Sequence, residues 1–188
     1  MNALDALQHR TSSPRLMDPA PSPQQIDHLF KAAVRAADHG LLRPWRFLVI
    51  HGQARSLLGE LFVAAAKEEN SEFSAAQAEK LAGKPLRAPL LIVTIASPRP
   101  HPKVPEFEQA LSAAAATQNM VNAAFALGIG VIWRTGAPAY QRIVKQGLGL
   151  EESEKIIGFL YIGTKTGKEK SKPDVDYSSF VREWGQDE

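Results

Sequence analysis

Apolar positions along the chain alternate between a helical and an extended period, and each change of period marks an element. Leu4 and Leu7 share one side of an amphipathic segment from about Asn2 to Arg10, which ends at Thr11-Ser12-Ser13-Pro14. A second helix opens at Ser22-Pro23-Gln24-Gln25. There an N-cap serine, a proline at the first helical position and a glutamine three residues after the cap satisfy the free backbone donors. Ile26, Leu29, Phe30, Ala33, Val34 and Ala37 supply its buried stripe, and Gly40 offers a left-handed stop. Arg46 to His51 predicts a strand. Leu57, Leu58, Leu61, Phe62 and Ala65 mark a further helix, and a more polar one runs from roughly Ser74 to Lys84, before Pro85.

Pro89 to Ser97 is apolar almost without a break, so the strand it predicts is buried on both faces, inside a sheet covered by helices. The alternate prolines of Pro98-Arg-Pro-His-Pro-Lys-Val-Pro105 remove backbone donors and predict a surface loop. From Pro105 to Gly128 a long helix is apolar nearly all round, which predicts burial. Its Ala113-Ala-Ala-Ala116 stretch permits close packing against a sheet or a second copy of itself. Gly130 to Thr135 predicts a strand, Ala139 to Gln146 a helix and Lys155 to Gly163 the last strand. About four core strands alternating with helices define an α/β or α+β sandwich around one sheet.

Length, composition and charge narrow the class. With 188 residues, 44% of them hydrophobic, residues 1–188 suit one domain, with 165–188 as a polar C-terminal tail. No apolar run approaches the ~20 residues of a membrane span, and the first residues lack the charged and apolar sections of a signal peptide, so a cytoplasmic protein without a membrane partner is expected. The absence of cysteine excludes disulfides, thiolate metal sites and cysteine nucleophiles. A net charge of +2 is too small for wrapping nucleic acid. The first 55 residues nevertheless carry Arg10, Arg15, Lys31, Arg35, Arg43, Arg46 and Arg55 against four aspartates, enough to hold a compact anion. Lys165, Lys168, Lys170 and Lys172 are most simply a solvated face.

Familiar catalytic signatures are missing. Gly128-Ile-Gly130 breaks the dinucleotide-binding spacing, Gly163-Thr-Lys-Thr-Gly167-Lys168 is one residue short of a P-loop, and no His-Glu-x-x-His or Gly-x-Ser-x-Gly occurs. What remains is His9-Arg10-Thr11-Ser12-Ser13-Pro14-Arg15, then Arg35-Ala-Ala-Asp38-His39-Gly40-Leu-Leu-Arg43-Pro44-Trp45-Arg46-Phe47, then Gly130-Val-Ile-Trp133-Arg134-Thr135-Gly136. In this order, and with the closing Ile157-Gly-Phe-Leu-Tyr-Ile-Gly163 strand, they resemble the flavin-dependent nitroreductase family, in particular its short YdjA-like branch. The resemblance covers nearly the whole chain. The stretch from Asp38 to Phe47 is its most specific part, because Pro-Trp-Arg-Phe leading straight into a strand is seldom met by chance.

That resemblance implies a sandwich with a central mixed sheet of four to five strands, a homodimer with FMN at its interface, and electrons drawn from NADH or NADPH. It also implies that Arg10, Thr11 and Ser12 hold the FMN phosphate, to which guanidinium and hydroxyl groups give charge-assisted hydrogen bonds. Arg35 and His39, expected from the partner subunit, and Trp133, Arg134 and Thr135 at a strand end would surround the flavin ring. Ala123, Ala124, Phe125, Ala126, Leu127 and Gly128 would lie near the nicotinamide nucleotide. No residue need act as acid or base. The loop from Pro98 to Pro105, with His101 and Lys103, is expected to form a rim that shapes access of the acceptor.

Each residue also has a plainer reading. Arg10 and His39 beside helix ends are what the helix dipole favours, and Thr11, Ser12 and Ser13 suit a turn. Arg35 can pair with Asp38, Arg134 with a carboxylate, and Trp45 and Trp133 suit a core. The leading expectation is ping-pong hydride transfer from NAD(P)H to an electron-poor acceptor such as a nitroaromatic or a quinone. The alternative is a flavin- or anion-binding protein without turnover.

Overall fold

A computed structural model describes residues 2–167, 173 and 175–185 of the chain. Its helices are α1 (Ala3–His9), α2 (Pro23–Ala33), α3 (Ala54–Glu69), α4 (Ala75–Ala82), α5 (Glu106–Ala126) and α6 (Arg142–Gly147). The strands are β1 (Leu16–Met17), β2 (Trp45–His51), β3 (Leu90–Ala96), β4 (Gly130–Arg134) and β5 (Lys155–Lys165). Local chemistry explains several boundaries. Ser22 and Gln25 exchange hydrogen bonds as a capping box at the start of α2, and Ser74 and Gln77 do the same for α4.

Five strands form one sheet in which β5 is the hub, bonded to β1, β3 and β4, while β2 flanks β3. Every pairing is antiparallel, where a mixed sheet was expected. All seven residues of β3 are buried, as its unbroken apolar run predicts, because β3 lies between β2 and β5 and is covered on both faces. Side-chain alternation sorts the sheet into two cores. Phe159, Tyr161 and Ile132 face α3 and α6 through Leu58, Phe62 and Val144. Leu160, Ile162, Val131 and Trp133 face α2 and α5 through Leu29, Ala116 and Met120. The molecule is thus a helix–sheet–helix sandwich.

Several expectations need correction. Helix α2 stops at Ala33, and Val34 (53% exposed) and Ala37 lie outside the buried stripe, because the backbone tightens to i→i−3 bonds at Arg35 and Ala36. Gly40 is left-handed as predicted (φ 69°), but it serves a short turn at His39–Leu41 rather than the end of α2. Helix α5 is buried along one side only, since Phe107 and Leu111 are 71% and 48% exposed. The helix expected from Ala139 to Gln146 is divided by the extended backbone of Gln141 into a short turn, Ala137–Ala139, and α6. Strand β1 is two residues long, too short to show an alternation in sequence. Among the described residues no helix is long and apolar enough to cross a membrane.

Candidate active site

The most distinctive sequence motif turns out to be partly architectural. Arg46, the second residue of β2, donates from Nε and Nη2 to the two carboxylate oxygens of Glu154, both at 2.6 Å, and from Nη2 to the Gly149 carbonyl at 2.9 Å. The Glu154 side chain is only 4% exposed, and the backbone N–H of Glu151 also donates to it. These hydrogen bonds, led by that from Arg46, pull the Glu154 carboxyl down to about 2 against the opposing effect of burial. The same pair raises the Arg46 guanidinium above its ordinary value. Pro-Trp-Arg-Phe therefore marks where β2 is clamped to the loop that leads into β5.

Just before this motif the backbone is strained. Gly40, Leu41 and Arg43 all have positive φ (69°, 54° and 50°), and the second and third carry side chains that rarely adopt it. The Asp38 carboxylate holds the bend by accepting from the Arg43 N–H at 2.7 Å, while its other oxygen is buried without a partner among the described residues. His39 is exposed, with Nδ1 3.2 Å from the Ser112 hydroxyl on α5, and Arg35 is exposed just past α2. Arg35 makes no ion pair with Asp38. Both residues therefore belong to the α2/α5 layer.

Arg10 ends α1 in extended backbone, and after Thr11 and Ser12 the Ser13 N–H donates to the Val131 carbonyl of β4 at 2.9 Å. This brings the first motif beside the third. Within β4, alternation sends neighbouring side chains to opposite faces. Trp133 packs with the α2/α5 core over Gly158, where a Cβ would come within 2.0 Å of the indole nitrogen, and its N–H donates to the Ile157 carbonyl at 3.1 Å. Arg134 points to the other face, where its guanidinium lies 5.7 Å from the centre of the Tyr161 ring.

Arg134, Thr135 and Gly136 line a cavity of about 710 Å³ between the sheet, α3 and α4. Its apolar wall includes Phe62, Phe73, Phe159 and Tyr161, and the size suits a nucleotide-sized ligand. The Arg134 Nε–H is buried without an acceptor among the described residues, an arrangement that costs about 1–3 kcal/mol unless a ligand supplies one. Burial raises the Tyr161 hydroxyl above its ordinary value, opposed by the positive charges of Arg134 and Arg87.

The remaining candidates lie elsewhere. Ala123, Ala124, Phe125, Ala126, Leu127 and Gly128 form the far end of α5, where Ala124 is core and only Ala126, Leu127 and Gly128 are exposed. The loop 98–105 is stapled by Gln109, which bonds the backbone of Arg99 and Val104, and it does not contribute to the cavity lining. In its place the cavity borders on α4 and the turn after it, through Lys80, Lys84 and Arg87. These three residues were not singled out from sequence. Their 80–84–87 spacing on a polar helix was the available signal. Lys168, Lys170 and Lys172 lie outside the described residues.

This architecture has known counterparts. A nitroreductase family model matches residues 7–164, and the chain is 38% identical to YdjA of Escherichia coli strain K12 over 96% of this chain and 98% of that protein. The chain therefore belongs to the nitroreductase family. The name given to YdjA places it among the NAD(P)H nitroreductases. A nitroreductase-like family protein from Bacillus cereus superposes with a TM-score of 0.85 at 21% identity, covering 99% of this chain and 97% of that one. A nitroreductase with bound FMN from Bacteroides fragilis superposes with a TM-score of 0.71 at 20% identity over 97% and 98% of the two chains. At these identities the two structures establish a shared fold.

Proposed function

We propose that the protein is a cytoplasmic, homodimeric FMN-dependent oxidoreductase that passes reducing equivalents from NADH or NADPH to an electron-poor acceptor, a nitroaromatic or a quinone, by a ping-pong sequence. The observation that carries this reading is the unpartnered Arg134 Nε–H beside an aromatic-walled cavity at the end of β4, in a chain of the nitroreductase family. The donor set fits FMN: a guanidinium suits a ring carbonyl or a reduced, negatively charged ring edge, and a second basic, hydroxyl-rich segment suits a phosphate.

Arg134 and Thr135 would hold the ring, with Trp133 fixing the strand end from the opposite face. Arg10, Thr11 and Ser12 would hold the phosphate. Arg35 and His39 of the partner subunit would complete the ring's surroundings, which agrees with their exposure on the helical layer. Exposed Leu4 and Leu7 on α1, and Phe107 and Leu111 on α5, offer the apolar surface for that pairing. FMN, when bound, supplies the two-electron chemistry between the nicotinamide and the acceptor. The aromatic wall would shield one side of a bound ring from water, and a single open face would make donor and acceptor take turns. Of the candidate residues 123–128, the exposed ones, Ala126, Leu127 and Gly128, would be those that touch the nicotinamide nucleotide.

The visible spectrum of the purified protein tests the reading. A yellow protein that bleaches under NADPH or NADH without oxygen is the expected result. A protein that stays colourless after soaking in FMN overturns it, and a yellow protein that does not bleach is a flavin binder without turnover.

A further inference from the structure

Among the described residues the His39 ring makes one hydrogen bond, between Nδ1 and the Ser112 hydroxyl at 3.2 Å. It ties the turn His39–Leu41 to α5. Ser112 is only 2% exposed, so its hydroxyl is closed to solvent and its proton must go to a protein group. Two lie within reach: the Glu108 carbonyl one turn earlier on α5, also at 3.2 Å, and His39 Nδ1. A hydroxyl has one proton to donate and lone pairs with which to accept. If Ser112 donates to Glu108, its oxygen accepts from a protonated Nδ1 and every contact in the cluster carries a proton. If it donated to Nδ1 instead, the Ser112 and Glu108 oxygens would face each other in a buried place with no proton between them.

We propose that Ser112 is a positioning residue that locks neutral His39 in the Nδ1–H tautomer. Nε2 is then a hydrogen-bond acceptor, on a residue that is exposed, and it selects an N–H donor on the ligand. An unconstrained histidine side chain favours the other tautomer, so the lock reverses what the ring would present by itself. The inference rests on the flavin oxidoreductase reading for its ligand, since there His39 reaches the neighbouring subunit's flavin. An oxidised flavin ring offers carbonyl oxygens and ring nitrogens as acceptors, and its one N–H donor is the imide N3–H between the two carbonyls. An acceptor Nε2 therefore pairs with the imide edge. Arg134, which can only donate, suits the acceptors of the same ring.

The first test is nitrogen NMR of protein labelled in its histidine rings. There are five histidines, and His39→Gln, at an exposed position, identifies the His39 signals by their loss. At a pH high enough to leave imidazoles neutral, the wild type should show a protonated Nδ1 and an unprotonated Nε2 at His39. Ser112→Ala puts a better helix former into α5 and should move that proton to Nε2. An unprotonated Nδ1 in the wild type, or a tautomer unchanged in Ser112→Ala, overturns the proposal. The wild-type spectrum decides the first of these whether or not the alanine variant folds.

The second test reads the ligand. FMN and N3-methyl-FMN, which lacks the imide proton, are titrated at the same pH by quenching of flavin fluorescence. The wild type should favour FMN roughly fivefold to tenfold, as one hydrogen bond implies, and Ser112→Ala should lower that ratio several-fold. A ratio unchanged in Ser112→Ala shows steric exclusion of the methyl group and overturns the assignment to the imide edge, as does a wild type without preference. If the wild type binds neither flavin, the flavin reading fails, and the nitrogen spectra alone decide whether the lock stands.

Discussion

Arg46 and Glu154 show how one ion pair ties distant parts of the chain. The folded-state pKa of Glu154, about 2, lies below the ~4.3 of a free glutamate, so the pair contributes stability above pH ~4.3 and loses it as pH falls toward 2. Glu154→Gln should cost about 3 kcal/mol at neutral pH, because it leaves a half-buried guanidinium short of its counter-charge. Urea denaturation at pH 7 and pH 3 checks this, with the gap between wild type and variant narrowing at pH 3. At the proposed cofactor site, Arg10→Ala should weaken FMN binding roughly tenfold to a hundredfold without unfolding the protein, as loss of a charge-assisted phosphate contact requires. Unchanged FMN affinity in a fluorescence titration would return Arg10 to a purely helix-capping role. The pairing of Arg46 with a carboxylate was not visible in sequence, because the two residues are 108 positions apart.

Helix α4 lies against α3 with almost no space between them. A Cβ on Gly59 would come within 2.2 Å of the Ala82 carbonyl oxygen, so Gly59→Ala must push α4 away from α3. Overpacking of this kind costs about 1–3 kcal/mol, and here it displaces the helix that carries Lys80 toward the cavity. The expected outcome is a lower urea midpoint together with weaker FMN binding at the cavity that α4 borders. Normal binding in a destabilised variant would show that α4 position and ligand recognition are separable. The boundaries of α4 were legible from Ser74, Gln77 and Pro85, whose capping and helix-stopping chemistry is local. What α4 borders was not legible, since polar residues on a helix look alike whether they meet solvent or a cavity.

At the scale of the molecule, the single chain leaves apolar surface on α1 and α5 that its own core does not use. Leu7→Glu combined with Leu111→Glu should turn the proposed dimer into a monomer in light scattering. FMN should be lost with it, because Arg35 and His39 would no longer reach a neighbouring subunit. A monomeric wild type, or a monomeric variant that retains its flavin, would refute the shared site. Here the sequence was only partly readable. The all-apolar pattern of α5 predicted burial all round, yet the chain buries one side and exposes Phe107 and Leu111, because a period of 3.6 cannot say which neighbour covers a given face.

The order of the elements other than β1, the capping boxes at Ser22 and Ser74, the two-sided burial of β3 and the motifs that assign the family were all present in the sequence. They depend on neighbouring residues and on periodicity, which are local properties. Tertiary structure alone decided that Trp133 and Arg134, adjacent in sequence, serve opposite faces of the sheet, one packed over Gly158 and the other over Tyr161 at a cavity, its Nε–H without an acceptor among the described residues. It alone joined Arg46 to Glu154 and gathered Lys80, Lys84 and Arg87 around Tyr161 and Arg134. Contacts between residues far apart along the chain depend on sheet order and helix packing, and a sequence pattern carries neither.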